Sequence, residues 1–357
     1  MTEFLCATRL YTGPNALMAL RNYPAERVMV ITDSYFVKSG VAAQIAAMVS
    51  GAKSLIFDRV TADPSAELAA EAAAACREFR PQLLIALGGG SPMDCAKAVR
   101  IASEHAMSFV AIPTTSGSGS EVTSFSILTH NGIKHPLVDP AMRPDAAILD
   151  DSLLEKLPQT LIADTGMDLI AHSMEAAVAR GRSAFSDAMA AAAARTAFSC
   201  LAASYQGDVS VRRKLHEAAT MAGIAFENAG LGACHAMAHA IGGALHLPHG
   251  RLCAMLLPHV MAANEQSAGD AYQAMAAACG MTNSSRKMAV RSLSSAIVRL
   301  RTSLKLPATL AQAGICRETA MQHREKILQA AMSDNCLRTN PAPMTMDSLG
   351  RIYEAVL

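Results

Sequence analysis

The chain carries little charge, and almost none of it is net charge. Charged side chains make up 17% of its 357 residues, and the formal net charge is +1. A protein with so small a net charge has no electrostatic basis for binding nucleic acid or an anionic membrane surface. We therefore expect neither partner. The 51% apolar composition instead indicates a large buried core.

Long apolar runs are also missing, and a membrane-spanning helix needs about 20 apolar residues in a row. The longest alanine-rich stretch, residues 188–203, is interrupted by Arg195. The first twelve residues contain Glu3 and Arg9 and lack the apolar core of a signal peptide. We expect a cytoplasmic protein.

The nine cysteines include no C-x-x-C pair. This spacing suggests neither a zinc knuckle nor a disulfide framework. We interpret the cysteines as reduced, buried thiols of a cytosolic protein.

Short apolar runs alternate with helix-like segments in the first part of the chain. The runs cover residues 28–31, 54–57, 83–87, 109–112 and 146–149. They are unbroken rather than alternating, which is typical of parallel strands covered on both faces. The pattern predicts an α/β, Rossmann-like dinucleotide-binding domain over residues 1–150.

Beyond Asp150 the strand signal disappears and helical spacing takes over. Helical segments are predicted at residues 161–179, 184–205, 211–226, 234–244 and 285–304. We therefore expect an all-helical domain over residues 151–357. The sequence at 150–152 could cap its first helix.

A glycine-rich segment follows the strand predicted at 83–87. Gly88, Gly89 and Gly90 permit a tight turn, and Ser91 is placed to cap the next helix, with Asp94 reaching back in a capping box. The free N–H groups of such a helix start suit a pyrophosphate, although a plain strand-to-helix turn is the alternative.

Two further features suit a dinucleotide. A loop rich in hydroxyl side chains, residues 113–121, follows the strand at 109–112, where open α/β sheets bind ligands. Asp33 ends the first apolar run, where a carboxylate could accept from ribose hydroxyls and repel a 2′-phosphate. The alternative for Asp33 is the cap of a helix.

Histidines and a carboxylate gather at helical spacing in the second half. Asp168 and His172 are four residues apart, as are His235 and His239, and His249 follows. A carboxylate with several imidazoles and no thiolate suits Fe(II) or Zn(II). Spacing alone leaves the ligand set open, since Asp168, His172, His235 and His239 would satisfy it with His249 spare.

Four motifs carry a family resemblance: GGGSPMDCAK (88–97), PTTSGSGSEVT (113–123), TGMDLIAHSMEA (165–176), and GLGACHAMAHAIGG with PHG (230–250). In these motifs and their order the chain resembles the group III iron-containing alcohol dehydrogenases, up to about residue 264. The resemblance implies a dehydroquinate synthase-like fold. TRLYTG (8–13) and the segment before PHG are most similar to the propanol dehydrogenases of propanediol-degrading bacteria.

The resemblance also implies roles for individual residues. The metal, Fe(II) or alternatively Zn(II), would be held by Asp168, His172, His235 and His249. His239 would then be a catalytic residue facing the substrate and the nicotinamide. NAD would contact Asp33, Gly89, Gly90, Ser91, Thr114, Thr115, Ser118 and Lys134, and the substrate would be lined by Phe226 and Phe125. Glu175 could support a ligand, or it could have a solvated or capping role.

The implied function is NAD-dependent interconversion of a short-chain primary alcohol and its aldehyde, such as 1-propanol and propanal. A homodimer is implied, and the propanediol connection raises a bacterial microcompartment as a location within the cytoplasm. The alternatives are a metal-dependent lyase or hydrolase of the same fold, a glycerol or diol dehydrogenase, and a nucleotide-binding subunit without enzymatic activity.

Overall fold

The computed structural model describes residues 3–130, 133–282 and 285–357. The chain divides into two compact units. The N-terminal unit is Cys6–Lys156, and the helical unit is Leu157–Leu357 with the segment that ends at Leu5. The domain boundary expected after residue 150 falls inside the N-terminal unit.

A parallel sheet forms the centre of the N-terminal unit. Its strands, with those of a separate hairpin, are β1 Arg9–Thr12, β2 Arg27–Ile31, β3 Lys53–Phe57, β4 Leu83–Gly88, β5 Ser108–Pro113, β6 Phe125–His130, β7 Ile133–Val138 and β8 Ala146–Leu149. The six-stranded sheet has the order β1-β8-β5-β4-β2-β3, and all its pairs are parallel. β6 and β7 pair antiparallel. Each predicted apolar run is a strand of the sheet, whereas β1 and the hairpin were not predicted.

Helices cover the sheet on both faces. In this unit they are α1 Ser34–Lys38, α2 Val41–Ala47, α3 Ala66–Phe79 and α4 Gly90–Ala102. Met29 of β2 belongs to one core cluster with Val99 of α4, whereas the next residue, Val30, belongs to another with Ile45 of α2. Successive side chains of one strand thus enter two cores, which explains the unbroken apolar runs.

The helical unit contains no strand among its described residues. Its α-helices are α5 Gln159–Ala176, α6 Ala184–Tyr205, α7 Arg212–Ala229, α8 Ala233–Leu245, α9 His249–Ala278, α10 Arg286–Ser303, α11 Arg317–Ser333 and α12 Met346–Glu354. The predicted fold class, an α/β part followed by helices, is confirmed.

The residues expected to cap the first long helix, 150–152, belong to a short 3-10 helix instead. Asp150 accepts a hydrogen bond from the backbone N of Ser152 at 3.1 Å and caps a short 3-10 helix, Asp151–Leu154. The first long helix, α5, begins only at Gln159, after Pro158.

None of the helices in the described ranges combines the length and the apolar character needed to cross a bilayer.

Candidate metal centre and cofactor loops

Gly88 makes the turn from β4 to α4. Its φ is +147°, and a Cβ at this position would lie 2.5 Å from Pro92 Cγ, so only glycine fits. Its carbonyl oxygen accepts from the backbone N of Thr114 at 3.0 Å. The turn therefore contacts the loop that follows the neighbouring strand.

The two glycines after Gly88 lie against the hydroxyl-rich loop. A Cβ at Gly89 would lie 3.2 Å from Thr115 Oγ1, and one at Gly90 would lie 3.6 Å from Ser118 Cβ. Both loops leave the carboxyl ends of adjacent parallel strands, β4 and β5. The structure thus brings together a set of predicted cofactor residues: Gly89, Gly90, Thr114, Thr115 and Ser118.

The predicted helix cap at Ser91 is wrong. Helix α4 begins at Gly90 with Gly89 as its N-cap, and no side chain caps it. Because the glycines complete the turn early, Ser91 lies inside the first helical turn. The uncapped N–H groups of that turn are left for an anion.

The capping box predicted for Asp94 does not form. Its side chain extends toward the hairpin of β6 and β7 instead. It bonds the backbone N–H of Ile127 and the side chain of Ser120. Burial raises the pKa of Asp94 to about 7, although the nearby Lys97 ammonium opposes this shift. The carboxyl group is therefore able to hold a proton near neutral pH.

Lys97 holds the end of the hydroxyl-rich loop in place through its ammonium group. Its side chain is fully buried, and Nζ donates to Ser120 Oγ, Thr123 Oγ1 and the carbonyl oxygen of Phe125, each at 2.8 Å. The Phe125 ring also lies over Nζ, 5.6 Å from it. Phe125 therefore packs on this lysine, and its predicted contact with substrate stays a prediction.

Asp33 and Lys134 both have protein partners. Asp33 caps α1, with Oδ1 accepting from the backbone N of Tyr35 at 2.9 Å, which is the alternative role weighed for it. Lys134 Nζ lies 2.7 Å from Asp63 Oδ1. Their contacts with a cofactor stay predictions.

In the helical unit, imidazole nitrogens from three helices point to one carboxylate oxygen. Asp168 Oδ1 on α5 lies 3.9 Å from Nε2 of His172, 3.6 Å from Nε2 of His235 on α8, and 3.4 Å from Nε2 of His249 at the start of α9. Helices far apart in sequence thus place their polar atoms around one point.

These atoms lack the bonds that buried polar groups normally make. Asp168 Oδ1 and His235 Nε2 are buried and have no hydrogen-bond partner among the described residues. Nitrogen and oxygen ligands lie about 2.0–2.2 Å from zinc, so two ligands of a tetrahedral ion lie roughly 3.3 Å apart. The observed separations are close to that value, and the donor set therefore fits a divalent cation.

The Asp168 carboxyl group is held in its charged form. Burial opposes ionisation, but the neighbouring His172 and His249 outweigh burial, and the pKa of Asp168 lies well below its usual value. Asp168 therefore brings a negative charge to the cluster.

Glu175, on α5, holds His235 in place. The Glu175 Oε2 atom lies 2.7 Å from His235 Nδ1, and the same carboxylate accepts from the backbone N of Gly232 at 3.0 Å and of Cys234 at 2.7 Å. With Nδ1 engaged, Nε2 faces the cluster. Glu175 is therefore not a solvated carboxylate: it supports a histidine and also accepts from backbone N–H groups at the start of α8.

A glycine lets α9 approach α5. A Cβ at Gly250 would overlap the carbonyl oxygen of Asp164, so only glycine allows this contact after His249. An ion pair between Arg251 Nη2 and Asp164 Oδ2, at 3.0 Å, holds the same helix start. The Pro-His-Gly segment thus holds His249 against α5, with its Nε2 3.4 Å from Asp168 Oδ1.

His239 belongs to a different set of contacts. Its Nδ1 lies 2.9 Å from Asp334 Oδ2, and Asp334 Oδ1 accepts from the backbone N of Cys336 at 2.8 Å. The His239 ring stacks on that of His249, with centroids 5.1 Å apart. Asp334 was not singled out in the sequence, because no local motif links it to a histidine 95 residues away.

Phe226 lies beside the cluster. Its ring stacks on His172, with centroids 4.4 Å apart and an interplanar angle of 28°. An apolar ring next to the candidate metal site agrees with the predicted substrate lining, which stays a prediction.

Cys253 is an unexpected member of the cluster. Its Sγ lies 3.6 Å from His249 Nε2, and it is fully buried. Burial raises the pKa of this thiol well above its usual value. The sequence did not point to Cys253, although its spacing of four residues from His249 on one helix was available.

Family models match both units of the chain. The model described as "Iron-containing alcohol dehydrogenase" matches residues 7–151, and "Fe-containing alcohol dehydrogenase family, C-terminal" matches residues 162–357. The chain belongs to the iron-containing alcohol dehydrogenase family. It is therefore an oxidoreductase that interconverts alcohols and aldehydes, as the motifs predicted.

Curated relatives match over the full length. The chain is 36% identical to "1-propanol dehydrogenase PduQ" of Salmonella typhimurium, with 100% of both chains covered. It is 33% identical to "NADPH-dependent butanol dehydrogenase" of Clostridium saccharobutylicum, with 100% of this chain and 98% of the relative covered.

Solved structures agree with the fold. An iron-containing alcohol dehydrogenase from Thermococcus thioreducens superposes with a TM-score of 0.92 at 31% identity, covering 99% of each chain. Sulfoacetaldehyde reductase from Bifidobacterium kashiwanohense, solved in complex with NAD⁺, gives 0.89 at 25% identity, covering 100% of this chain and 98% of that one.

Proposed function

We propose that this protein is an NAD-dependent, iron(II)-dependent alcohol dehydrogenase for a short-chain primary alcohol and its aldehyde, with 1-propanol and propanal as the preferred pair. One observation carries the proposal: imidazole nitrogens of three helices surround Asp168 Oδ1, which has no hydrogen-bond partner among the described residues. The relative named a 1-propanol dehydrogenase supports the substrate size.

The proposed metal ligands are Asp168, His172, His235 and His249. One carboxylate with imidazoles suits Fe(II), and Zn(II) is the alternative ion. When bound, the ion supplies a Lewis acid for the alcohol or aldehyde oxygen, and NAD supplies the hydride acceptor. Phe226, stacked on His172, would present an apolar surface to the alkyl chain of the substrate.

His239 is proposed to move the hydroxyl proton. When its Nδ1–H is donated to Asp334, Nε2 keeps a lone pair that can accept a proton. Asp334 can orient the ring in this way because it stays ionised. Although burial opposes its charge, the His239 hydrogen bond lowers the pKa of Asp334 to about 2.

The N-terminal unit is proposed to bind NAD and the helical unit the metal. The glycine turn and the hydroxyl-rich loop would hold the phosphates at the start of α4, through Gly89, Gly90, Ser91, Thr114, Thr115 and Ser118. Asp33 would face the ribose, Lys134 would contact the cofactor, and Phe125 would reach the substrate. A cytoplasmic homodimer, with a microcompartment as one location, is part of the same proposal.

The experiment is an absorbance assay of NADH oxidation on anaerobically purified protein. Propanal and butanal would be tested in this direction, and glycerol and propanediols, which are already alcohols, by the reduction of NAD⁺, each with no metal, with Fe(II) and with Zn(II). We expect propanal-dependent oxidation of NADH that needs added metal and is fastest with Fe(II). Activity on diols alone would change the substrate class, and no activity on any substrate with either metal would contradict the proposed function.

Cofactor choice is tested in the same assay. One relative is named NADPH-dependent, so the preference for NADH depends on the Asp33 carboxylate, which repels a 2′-phosphate. We expect NADPH to be used at least about tenfold less efficiently and Asp33→Gly to narrow the gap. Equal use of both cofactors by the native protein would contradict the role of Asp33.

A further inference from the structure

A thiol converges on the candidate metal site together with the carboxylate and imidazoles. One ligand atom each from Asp168, His235, His249 and Cys253 lies within 4.8 Å of the other three. The set that meets this distance contains Cys253 and lacks His172. Cys253 follows His249 by four residues on α9, so both side chains share one face of the helix.

A buried cysteine is usually a small apolar residue of the core. Cys253 differs because its thiol lies in a cluster of polar atoms, two of which have no hydrogen-bond partner among the described residues. Cys253 Sγ lies 3.6 Å from His249 Nε2, and those two atoms of the same cluster are Asp168 Oδ1 and His235 Nε2. Once His249 Nε2 binds a cation, the thiol either loses this contact or joins the cation.

We propose that Cys253 is a further metal ligand, which with Asp168, His235 and His249 forms a tetrahedral site for a thiophilic divalent ion. This set contains Cys253 in place of His172, which belongs to the set proposed for iron(II). The inference rests on the proposed metal site and extends it to a second class of ion.

The chemistry of sulfur gives this ligand a consequence. Thiolate favours Zn(II) and Co(II), whereas carboxylate and imidazole alone discriminate less against Fe(II). A bound cation also makes a coordinating thiol lose its proton, even where burial alone keeps it neutral. Cys253 therefore makes the site more selective for zinc than three histidines and a carboxylate would be.

The test uses Co(II) as a spectroscopic probe. The full-length protein is freed of metal with a chelator and titrated anaerobically with Co(II), and bound metal is counted by mass spectrometry. We expect one bound Co(II) and a near-ultraviolet thiolate-to-cobalt charge-transfer band. The band should vanish in both Cys253→Ala and the similarly sized Cys253→Ser, while either variant still binds Co(II).

Cys234→Ala is the matched control. Cys234 is equally buried and precedes His235, but its thiol donates to the carbonyl oxygen of Cys253 at 3.6 Å and lies outside the convergent set. The control should keep the band. In a competition between Zn(II) and Fe(II), Cys253→Ala should lose about tenfold of the preference for zinc, and Cys234→Ala should not.

The outcomes separate this inference from the proposed function. Stoichiometric Co(II) without a thiolate band, or a band that persists in Cys253→Ala, overturns the Cys253 ligand and leaves the iron(II) enzyme intact. A Cys253-dependent band in a protein that oxidises no alcohol with any metal would keep the ligand and remove the enzyme function. If no Co(II) binds at all, both fall.

Discussion

The two units each contain a buried polar cluster, and the clusters are built in opposite ways. In the N-terminal unit the Lys97 ammonium has three acceptors at 2.8 Å, one for each of its protons. In the helical unit Asp168 Oδ1 and His235 Nε2 are equally enclosed and have no hydrogen-bond partner among the described residues.

Whether a buried polar group has its hydrogen bonds indicates whether it stabilises the fold or waits to bind a ligand. A buried charge with all its bonds made stabilises the loop around it and requires nothing further. A group of buried polar atoms without bonds is costly, unless an ion or substrate supplies them. The Lys97 cluster therefore fixes the hydroxyl-rich loop, and the Asp168 cluster is where we expect a ligand.

Removing the charge at the centre of the Asp168 cluster should have the largest effect. Asp168→Asn keeps the shape but gives up the negative charge, so we expect metal content to fall below about a tenth per chain and turnover to fall roughly 10³-fold or more. Metal analysis and NADH oxidation measure both. Asp187→Asn, at a partly exposed carboxylate of α6 paired with Arg182, is the control. Full metal content in Asp168→Asn would show that the unpartnered Asp168 cluster is not a metal site.

Removing the charge from the Lys97 cluster, whose hydrogen bonds are all made within the protein, should lower stability rather than metal content. Lys97→Met removes the donor to its three oxygen acceptors, and we expect the free energy of unfolding to fall by about 3–5 kcal/mol. Urea denaturation measures this loss, and metal content should not change. Arg100→Met removes a partly exposed ion pair of the same helix and should cost about 1 kcal/mol or less. An equal loss in both variants would argue against a special role for Lys97.

Glu175 supports the Asp168 cluster through His235 but is not one of the proposed metal ligands. Glu175→Gln weakens the contact to His235 Nδ1, and we expect metal affinity to fall about 10–100-fold. Competition with a chromophoric chelator measures the affinity. Glu217→Gln, on the surface of α7, should leave it unchanged. Unaltered affinity in Glu175→Gln would show that the carboxylate only holds the start of α8.

A pH dependence is expected near Lys97. Because the pKa of Asp94 is raised to about 7, the folded chain binds this proton more tightly than the unfolded chain. The resulting stabilisation is full below about pH 4 and is lost as the pH rises to about 7. In the cofactor-free protein, the Tm of Asp94→Asn should therefore rise relative to the native chain between about pH 5 and 7. If the difference in Tm between Asp94→Asn and the native chain stayed constant from about pH 5 to 7, the raised pKa of Asp94 would be contradicted.

The regular elements could be predicted from the sequence where their patterns were strong. The helix at 184–205 was predicted to the residue, and the parallel strands were found because two covered faces give unbroken apolar runs. The hairpin of β6 and β7 was missed because it contains His130, His135 and Pro136, which break a strand pattern. The cap at Ser91 was wrong because the preceding glycines end the turn sooner.

The candidate site was predictable in part. Helical spacing and family resemblance pointed to Asp168 and the histidines, and spacing would also have found Cys253 had thiols been considered. The contact between His239 and Asp334 joins α8 to a residue near the end of the chain. Only the folded packing of distant helices creates it, so no local pattern could reveal it.

The central claim is that His249 binds the metal and His239 does not. The direct test is the metal content of purified His249→Ala and His239→Ala after identical loading with Fe(II), confirmed by their Co(II) spectra. We expect His249→Ala to lose metal and activity together, and His239→Ala to keep its metal while its kcat falls. Loss of metal in His239→Ala with retention in His249→Ala would contradict the account.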